Sequence, residues 1–136
     1  MSPRSDATDP GEWLRYARAN LLHAEAGHAA GVVTEYLLFD AQQAAEKALK
    51  GVLVARGVHF KKSHDLAPLL TKIIDSGVEP PELIRRAAIL GSYATQARYP
   101  GWGESVDAAD LAEALVLARA VVDWAAQIIE ATLPLE

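Results

Sequence analysis

The sequence predicts an all-α protein, an up-and-down antiparallel bundle of four main helices with one short extra helix. Two long segments, residues 32–56 and 107–132, repeat apolar side chains at intervals of three and four, which is the period of an amphipathic helix. No segment alternates polar and apolar residues as a half-buried strand does. The connections between the predicted helices are short, and short connections favour antiparallel neighbours.

Composition restricts the size of the protein and its surroundings. The 136 residues fit one domain, and a domain of this size buries about two thirds of the surface of its unfolded chain. No apolar run approaches the ~18 residues of a membrane helix, and no apolar signal segment opens the chain, so we expect a cytoplasmic protein without membrane contact. The absence of cysteine excludes disulfides, thiolate zinc sites and a cysteine nucleophile. A net charge of -5 argues against nonspecific binding of nucleic acid as the main role.

The N-terminal half predicts two helices after an irregular start. Residues 1–11 lack periodicity and are predicted to be a flexible tail, and the helical domain is predicted over residues 12–133. The first helix covers residues 12–26, and residues 27–31 are a candidate interruption. The second helix covers residues 32–56 and ends at Gly57, because glycine adopts the left-handed conformation that ends many helices. Small side chains on one side of it allow another helix to approach, and the opposite side is a narrow polar face: Asp40, Gln43, Glu46, Lys47 and Lys50.

The C-terminal half predicts three more helices. A short helix opens at Ser63 or His64, either of which can cap it, and runs to about residue 76. A fourth helix follows the two prolines at residues 80–81 and ends near Arg98, before a loop at residues 100–103. The last helix, residues 107–132, is apolar over more than half of its circumference. Bundle neighbours or a second copy of the chain must therefore cover more than one side of it.

Three short motifs, taken together and in order, carry a family resemblance. They are the run QQAAEKALK at residues 42–50, the sequence His64-Asp65-Leu66, and the sequence Arg98-Tyr99-Pro100 at the end of the predicted fourth helix. Each is an ordinary helix or helix boundary alone, but in this order on an all-helical background they resemble the HEPN domain family. The resemblance extends over about residues 14–129, which is nearly the whole chain.

This resemblance implies a HEPN-like bundle that is often a homodimer. It also implies association with a nucleotide or RNA, and a minimal nucleotidyltransferase partner in a two-component, toxin-antitoxin-like module. Some members of the family are metal-independent ribonucleases, with a histidine four to six residues after an arginine at the dimer seam. Here the window after Arg98 contains Trp102, Gly103 and Glu104 but no histidine. Arginine cannot exchange a proton near neutral pH, and Glu104 is the one candidate general acid or base in this window. We therefore expect no appreciable ribonuclease activity and assign no catalytic residue.

Four residues are candidates for a nucleotide-binding site: Lys47, Lys50, His64 and Arg98. Each also has a structural interpretation. The lysines can lie on a solvated helix face, where Glu46 and Lys50 form an ordinary pair worth about 0.3 kcal/mol. His64 can cap the third helix, and Arg98 can cap carbonyls at its own helix end or pair with a carboxylate such as Glu46.

No metal and no cofactor are predicted. His23 and His28 are five residues apart, which is the wrong spacing for two ligands on one helix face. Trp13, Trp102 and Trp124 are predicted in the core or an interface, because no aromatic residue alternates with basic residues as single-strand binders require.

Three functions remain open at this point. The first is a nucleotide- or RNA-associated HEPN protein that acts with a nucleotidyltransferase partner. The second is a dimeric helical interaction module without a ligand, whose seam involves the last helix or residues 99–102. The third is a ribonuclease, which the missing histidine disfavours.

Overall fold

Every regular element of the described structure is helical, which confirms the all-α prediction. The computed structural model describes residues 8–62, 65–90 and 108–132. Its helices are α1 (Pro10–Ala30), α2 (Thr34–Ala55), α3 (Leu66–Asp75), α4 (Glu82–Arg86), which continues into a 3-10 turn (Ala87–Ile89), and α5 (Ala108–Thr132). Within these residues, no helix combines the length and the apolar character needed to cross a membrane.

The central helix of the bundle is α2, which packs against α1, α3 and α5. The connection from α1 to α2 spans only residues 31–33, so the two helices run antiparallel. Ion pairs between Arg119 and Glu25, at 2.6 Å, and between Arg18 and Glu130, at 3.4 Å, show that α1 and α5 are also antiparallel. The largest fully buried apolar side chains come from α2, α3, α5 and the turn after α4: Leu37, Leu38, Leu49, Leu53, Leu66, Leu69, Ile73, Leu90, Leu111, Leu117 and Ile129.

Helix α1 extends beyond both predicted ends. It begins at Pro10, two residues inside the predicted tail, because Asp9 caps it by accepting a 2.9 Å hydrogen bond from the Gly11 amide. The helix continues through Gly27, where an added Cβ would lie 2.5 Å from Leu37 Cδ2. It ends at Gly31, whose φ of 80° is left-handed. Gly27 is therefore a point of close packing with α2 and not the predicted interruption.

Gly51 brings α2 close to α1 and α5. A Cβ at this position would lie 2.9 Å from Ile129 Cδ1 and 3.2 Å from Trp13 Cβ. This contact confirms the prediction that small side chains of α2 allow another helix to approach. Gly57, which follows α2, has a φ of 71°, as predicted for a glycine that ends a helix.

Helices α3 and α4 differ from the prediction at their ends. Helix α3 begins at Leu66, with Asp65 at the N-cap position, so the predicted start was too early. The extended backbone of Asp65, with ψ at 132°, keeps that residue out of the helix. Ser63 and His64 lie outside the described residues, as does the predicted continuation of the fourth helix to Arg98.

Helix α5 confirms the predicted last helix, and residue 107, where that helix was predicted to begin, lies outside the described residues. Bundle neighbours within the single chain cover part of its predicted apolar sector, since Leu117 and Val121 are buried. Trp124 and Ile128 are half-buried, and Val116 is 61% exposed.

Candidate functional site

The structure describes two of the four candidate nucleotide-binding residues. Lys47 and Lys50 both lie on the polar face of α2, the central helix. His64 and Arg98 lie outside the described residues. The site is accordingly built from Lys47, Lys50 and the side chains around them.

The polar face of α2 is buried. Lys47 is 6% exposed, Lys50 is 8% exposed and Glu46 is 3% exposed. The interpretation of this face as a solvated helix surface is therefore wrong, because side chains from α1 and from the segment after α2 cover it. Hydrogen bonds and ion pairs are stronger in such surroundings, and an unpaired charge costs more.

Glu46 is the centre of a buried hydrogen-bond cluster on α2. Lys50 Nζ donates to Glu46 Oε2 at 3.0 Å, and Gln42 Nε2 donates to Glu46 Oε1 at 3.1 Å. Gln43 Nε2 lies 2.7 Å from Gln42 Oε1 and 3.4 Å from Glu46 Oε1, and donates to both. The pair between Glu46 and Lys50 thus exists as the sequence spacing predicted, but it is a buried pair within a network.

Two aromatic rings complete the surroundings of Lys50. Its Nζ lies 5.8 Å from the ring centroid of Trp13 and 5.7 Å from that of Phe60. The two rings contact each other edge to face, with centroids 6.0 Å apart. An ammonium in this position gains a cation–π interaction in addition to its carboxylate partner. The prediction that Trp13 lies in the core is confirmed, since Trp13 is buried.

Lys47 has a different kind of partner. Its Nζ donates a 2.6 Å hydrogen bond to Oδ1 of Asn20, a neutral amide on α1. Asn20 Nδ2 in turn donates to Asp40 Oδ1 at 3.4 Å. The other carboxylate oxygen of Asp40 lies 2.7 Å from Nδ1 of His23, whose side chain is 76% exposed. These four residues form a hydrogen-bonded chain across the α1–α2 contact, from the buried Lys47 to the surface.

Burial lowers the pKa of the Lys47 ammonium from its ordinary value. The negative charges of Glu46 and Asp40 raise this pKa, and the positive charge of Lys50 lowers it further. Burial is the largest of these effects. The direct partner of Lys47 carries no charge, so its positive charge is not neutralised by contact with a carboxylate.

Sequence reasoning missed the two residues that distinguish the lysines. Asn20 lies in α1, and nothing in its local sequence marks it as a partner of Lys47. Phe60 lies ten residues after Lys50 in an irregular segment. The helical period of α2 predicts the contact between Glu46 and Lys50, but contacts with Asn20 and Phe60 depend on how the elements pack.

The fold and this buried centre define the class of protein: a helical bundle whose central helix carries lysines and a glutamate inside the structure. The HEPN domain family matches residues 11–129, and the chain belongs to that family. The resemblance inferred from the three sequence motifs is thereby confirmed.

Two solved structures are similar to the chain over most of its length. One is the crystal structure of TT1696 from Thermus thermophilus, which is 34% identical in sequence and has a TM-score of 0.74. The similarity covers 91% of this chain and 98% of that chain. The other is the crystal structure of ST0689, an archaeal HEPN homologue, which is 28% identical and has a TM-score of 0.69. The similarity covers 88% of this chain and 98% of that chain. No curated protein matches the chain.

Proposed function

We propose that this HEPN protein binds a phosphate-bearing ligand, a nucleotide or an RNA, and acts with a minimal nucleotidyltransferase partner in a two-component, toxin-antitoxin-like module. The observation that carries the proposal is the arrangement of Lys47. Its ammonium is buried and donates one hydrogen bond, to a neutral amide, within the described part of the chain. An ammonium has three N–H donors, so two remain for phosphate oxygens.

In this proposal the two lysines have different roles. Lys50 is paired with Glu46 and lies near two rings, so its charge is already compensated. It supports the site from inside the fold and does not contact the ligand. Lys47 supplies the phosphate contact, and His64 and Arg98 remain members of the site on the basis of the family resemblance.

Binding measurements test the proposal. ATP and a short single-stranded RNA are titrated separately into the wild-type protein and into Lys47→Ala. A charge-assisted contact contributes about 1–3 kcal/mol, so the variant is expected to bind about 5- to 150-fold more weakly. Arg18→Ala is the matched control, because it removes an exposed cation from α1. Absence of saturable binding of either ligand up to millimolar concentration rejects the ligand part of the proposal.

The partner is tested by a pull-down with a minimal nucleotidyltransferase encoded beside this chain, with and without ATP. Specific retention of that protein supports the two-component module. Failure of the two purified proteins to associate under either condition rejects it.

A dimeric interaction module without a ligand is the second candidate. It is favoured by the pairing of Lys50 with Glu46 and by three side chains of α5, the half-buried Trp124 and Ile128 and the exposed Val116. If the lysine variants lose stability while the wild type binds neither ligand, this function replaces the first. Ribonuclease activity is disfavoured because no histidine follows Arg98. RNA cleavage that Arg98→Ala abolishes would reinstate it.

A further inference from the structure

Two lysines on one helix are held in two different ways. Lys50 contacts a carboxylate directly, at 3.0 Å from Glu46 Oε2. Lys47 contacts the amide of Asn20 at 2.6 Å, and the carboxylate of Asp40 lies one residue further along the hydrogen-bonded chain. The negative charge of Asp40 thus supports the buried ammonium without touching it.

The chemistry of the partners permits only one orientation of the Asn20 amide. Lysine can only donate hydrogen bonds and an ionised carboxylate can only accept them. The amide oxygen must therefore face Lys47 and the amide nitrogen must face Asp40, as the structure has them. The second oxygen of Asp40 contacts His23, so the carboxylate is itself held from its other side. The position of Lys47 Nζ is consequently set by side chains of both α1 and α2.

The direct partner of Lys47 is the uncharged amide of Asn20, and this affects how the ammonium can bind an anion. A carboxylate in direct contact with Lys47 would neutralise the ammonium and compete with a phosphate for its N–H groups. An amide oxygen occupies one N–H group and leaves the charge available. Since Lys47 is only 6% exposed, a phosphate can meet the ammonium over a small part of its surface, and the direction of the free N–H groups decides whether contact is made.

We propose that Asn20 and Asp40 are positioning residues for Lys47, which hold its ammonium in place while leaving its charge and two N–H groups for a phosphate of the ligand. This inference rests on the proposed function. It names two residues that do not themselves contact the ligand and that act through Lys47.

A charge-conserving exchange tests the inference. The double variant Asn20→Asp/Asp40→Asn has the same net charge as the wild type and moves the carboxylate into direct contact with Lys47. We expect it to bind ATP at least tenfold more weakly, while its melting temperature stays close to that of the wild type. A purely structural role predicts no change in ATP affinity. Unchanged affinity in a folded double variant therefore overturns the inference.

Two further measurements keep the test decisive. Asn20→Ala should weaken ATP binding in the wild-type background but not in a Lys47→Ala background, because Asn20 acts through Lys47. Equal loss in both backgrounds overturns the inference even if the exchanged variant fails to fold. The control is the exposed pair of Glu25 and Arg119, where Glu25→Arg/Arg119→Glu also conserves net charge and should leave ATP affinity unchanged.

Failure of the proposed function is distinguishable from failure of this inference. If the wild-type protein binds neither ATP nor the short RNA, the ligand part of the proposed function is rejected, and with it the ligand part of the inference. The positioning is then decided by an NMR titration of the Lys47 side chain, in which Asp40→Asn should lower the pKa of Lys47 because the charge of Asp40 raises it. A pKa that does not move in this variant overturns the positioning as well.

Discussion

Replacement of Glu46 by leucine should be among the most destabilising single substitutions in this protein. The substitution leaves the Lys50 ammonium buried and without its carboxylate partner. Removing one partner of a buried ion pair costs about 3–5 kcal/mol. The cation–π interaction with Trp13 and Phe60 remains, but it is present before and after the change, so it does not offset the loss.

A second substitution and a control isolate the effect of burial. Adding Lys50→Met to Glu46→Leu removes the uncompensated charge, so the double variant should regain at least half of the lost stability. Glu130→Leu is the matched control, since it also removes a glutamate from an ion pair, but in this pair both side chains are more than half exposed. The control should cost less than about 1 kcal/mol.

Urea unfolding of the three variants and the wild type, followed by circular dichroism, gives the four free energies of unfolding. Natural domains are stable by about 5–15 kcal/mol, so a loss of 3–5 kcal/mol is measured easily or abolishes folding. The reasoning is refuted if Glu46→Leu and Glu130→Leu cost the same within about 1 kcal/mol. It is also refuted if the double variant is no more stable than Glu46→Leu alone, because removing the buried charge of Lys50 then restores no stability.

Three further outcomes are expected. Gly27→Ala should destabilise the protein by about 1–3 kcal/mol in urea unfolding, because its Cβ would lie 2.5 Å from Leu37 Cδ2, whereas a gain in stability would show that this contact relaxes freely. Burial lowers the pKa of Lys47, so between the lowered pKa and the ordinary value of 10.5 the unfolded chain binds more protons than the folded protein. The free energy of unfolding of the wild type minus that of Lys47→Met should therefore rise with pH through that window. A difference that falls with pH would contradict the burial of Lys47. Sedimentation should give a dimer of the 14.6 kDa chain that Trp124→Glu/Ile128→Glu dissociates, and a wild-type monomer at tens of micromolar would reject the dimer.

The helices that local signals define were predictable, and their ends less so. Periodic apolar side chains identified α1, α2 and α5, and Gly57 marked the end of α2 correctly. Gly27 was misinterpreted because the sequence does not distinguish a glycine that ends a helix from one that lets a neighbouring helix pack closely. Only the packing of Leu37 against it distinguishes the two cases.

The burial of the polar face of α2 was not predictable from its pattern. A stripe of polar side chains at helical spacing has the same sequence signature on a solvated surface and in a hydrogen-bonded interior. The difference comes from other elements, since Trp13 and Asn20 of α1 and Phe60 after α2 cover this face. These residues are far from the polar stripe in sequence, and their contacts follow from the register in which α1 and α2 pack.

Lys50 and Lys47 likewise differ in whether their hydrogen-bond partner lies on the same helix or on another one. Glu46 and Lys50 are four residues apart on one helix, so their contact follows from helical geometry alone. Lys47 lies one residue after Glu46 and cannot face it in the same way, and the partner that the structure gives it is Asn20 of α1. Helical geometry thus places a carboxylate beside Lys50, whereas tertiary packing determines the partner of Lys47. A buried lysine with no carboxylate in direct contact is the one that the proposed anionic ligand would use, and this difference between Lys47 and Lys50 appears only once α1 is packed against α2.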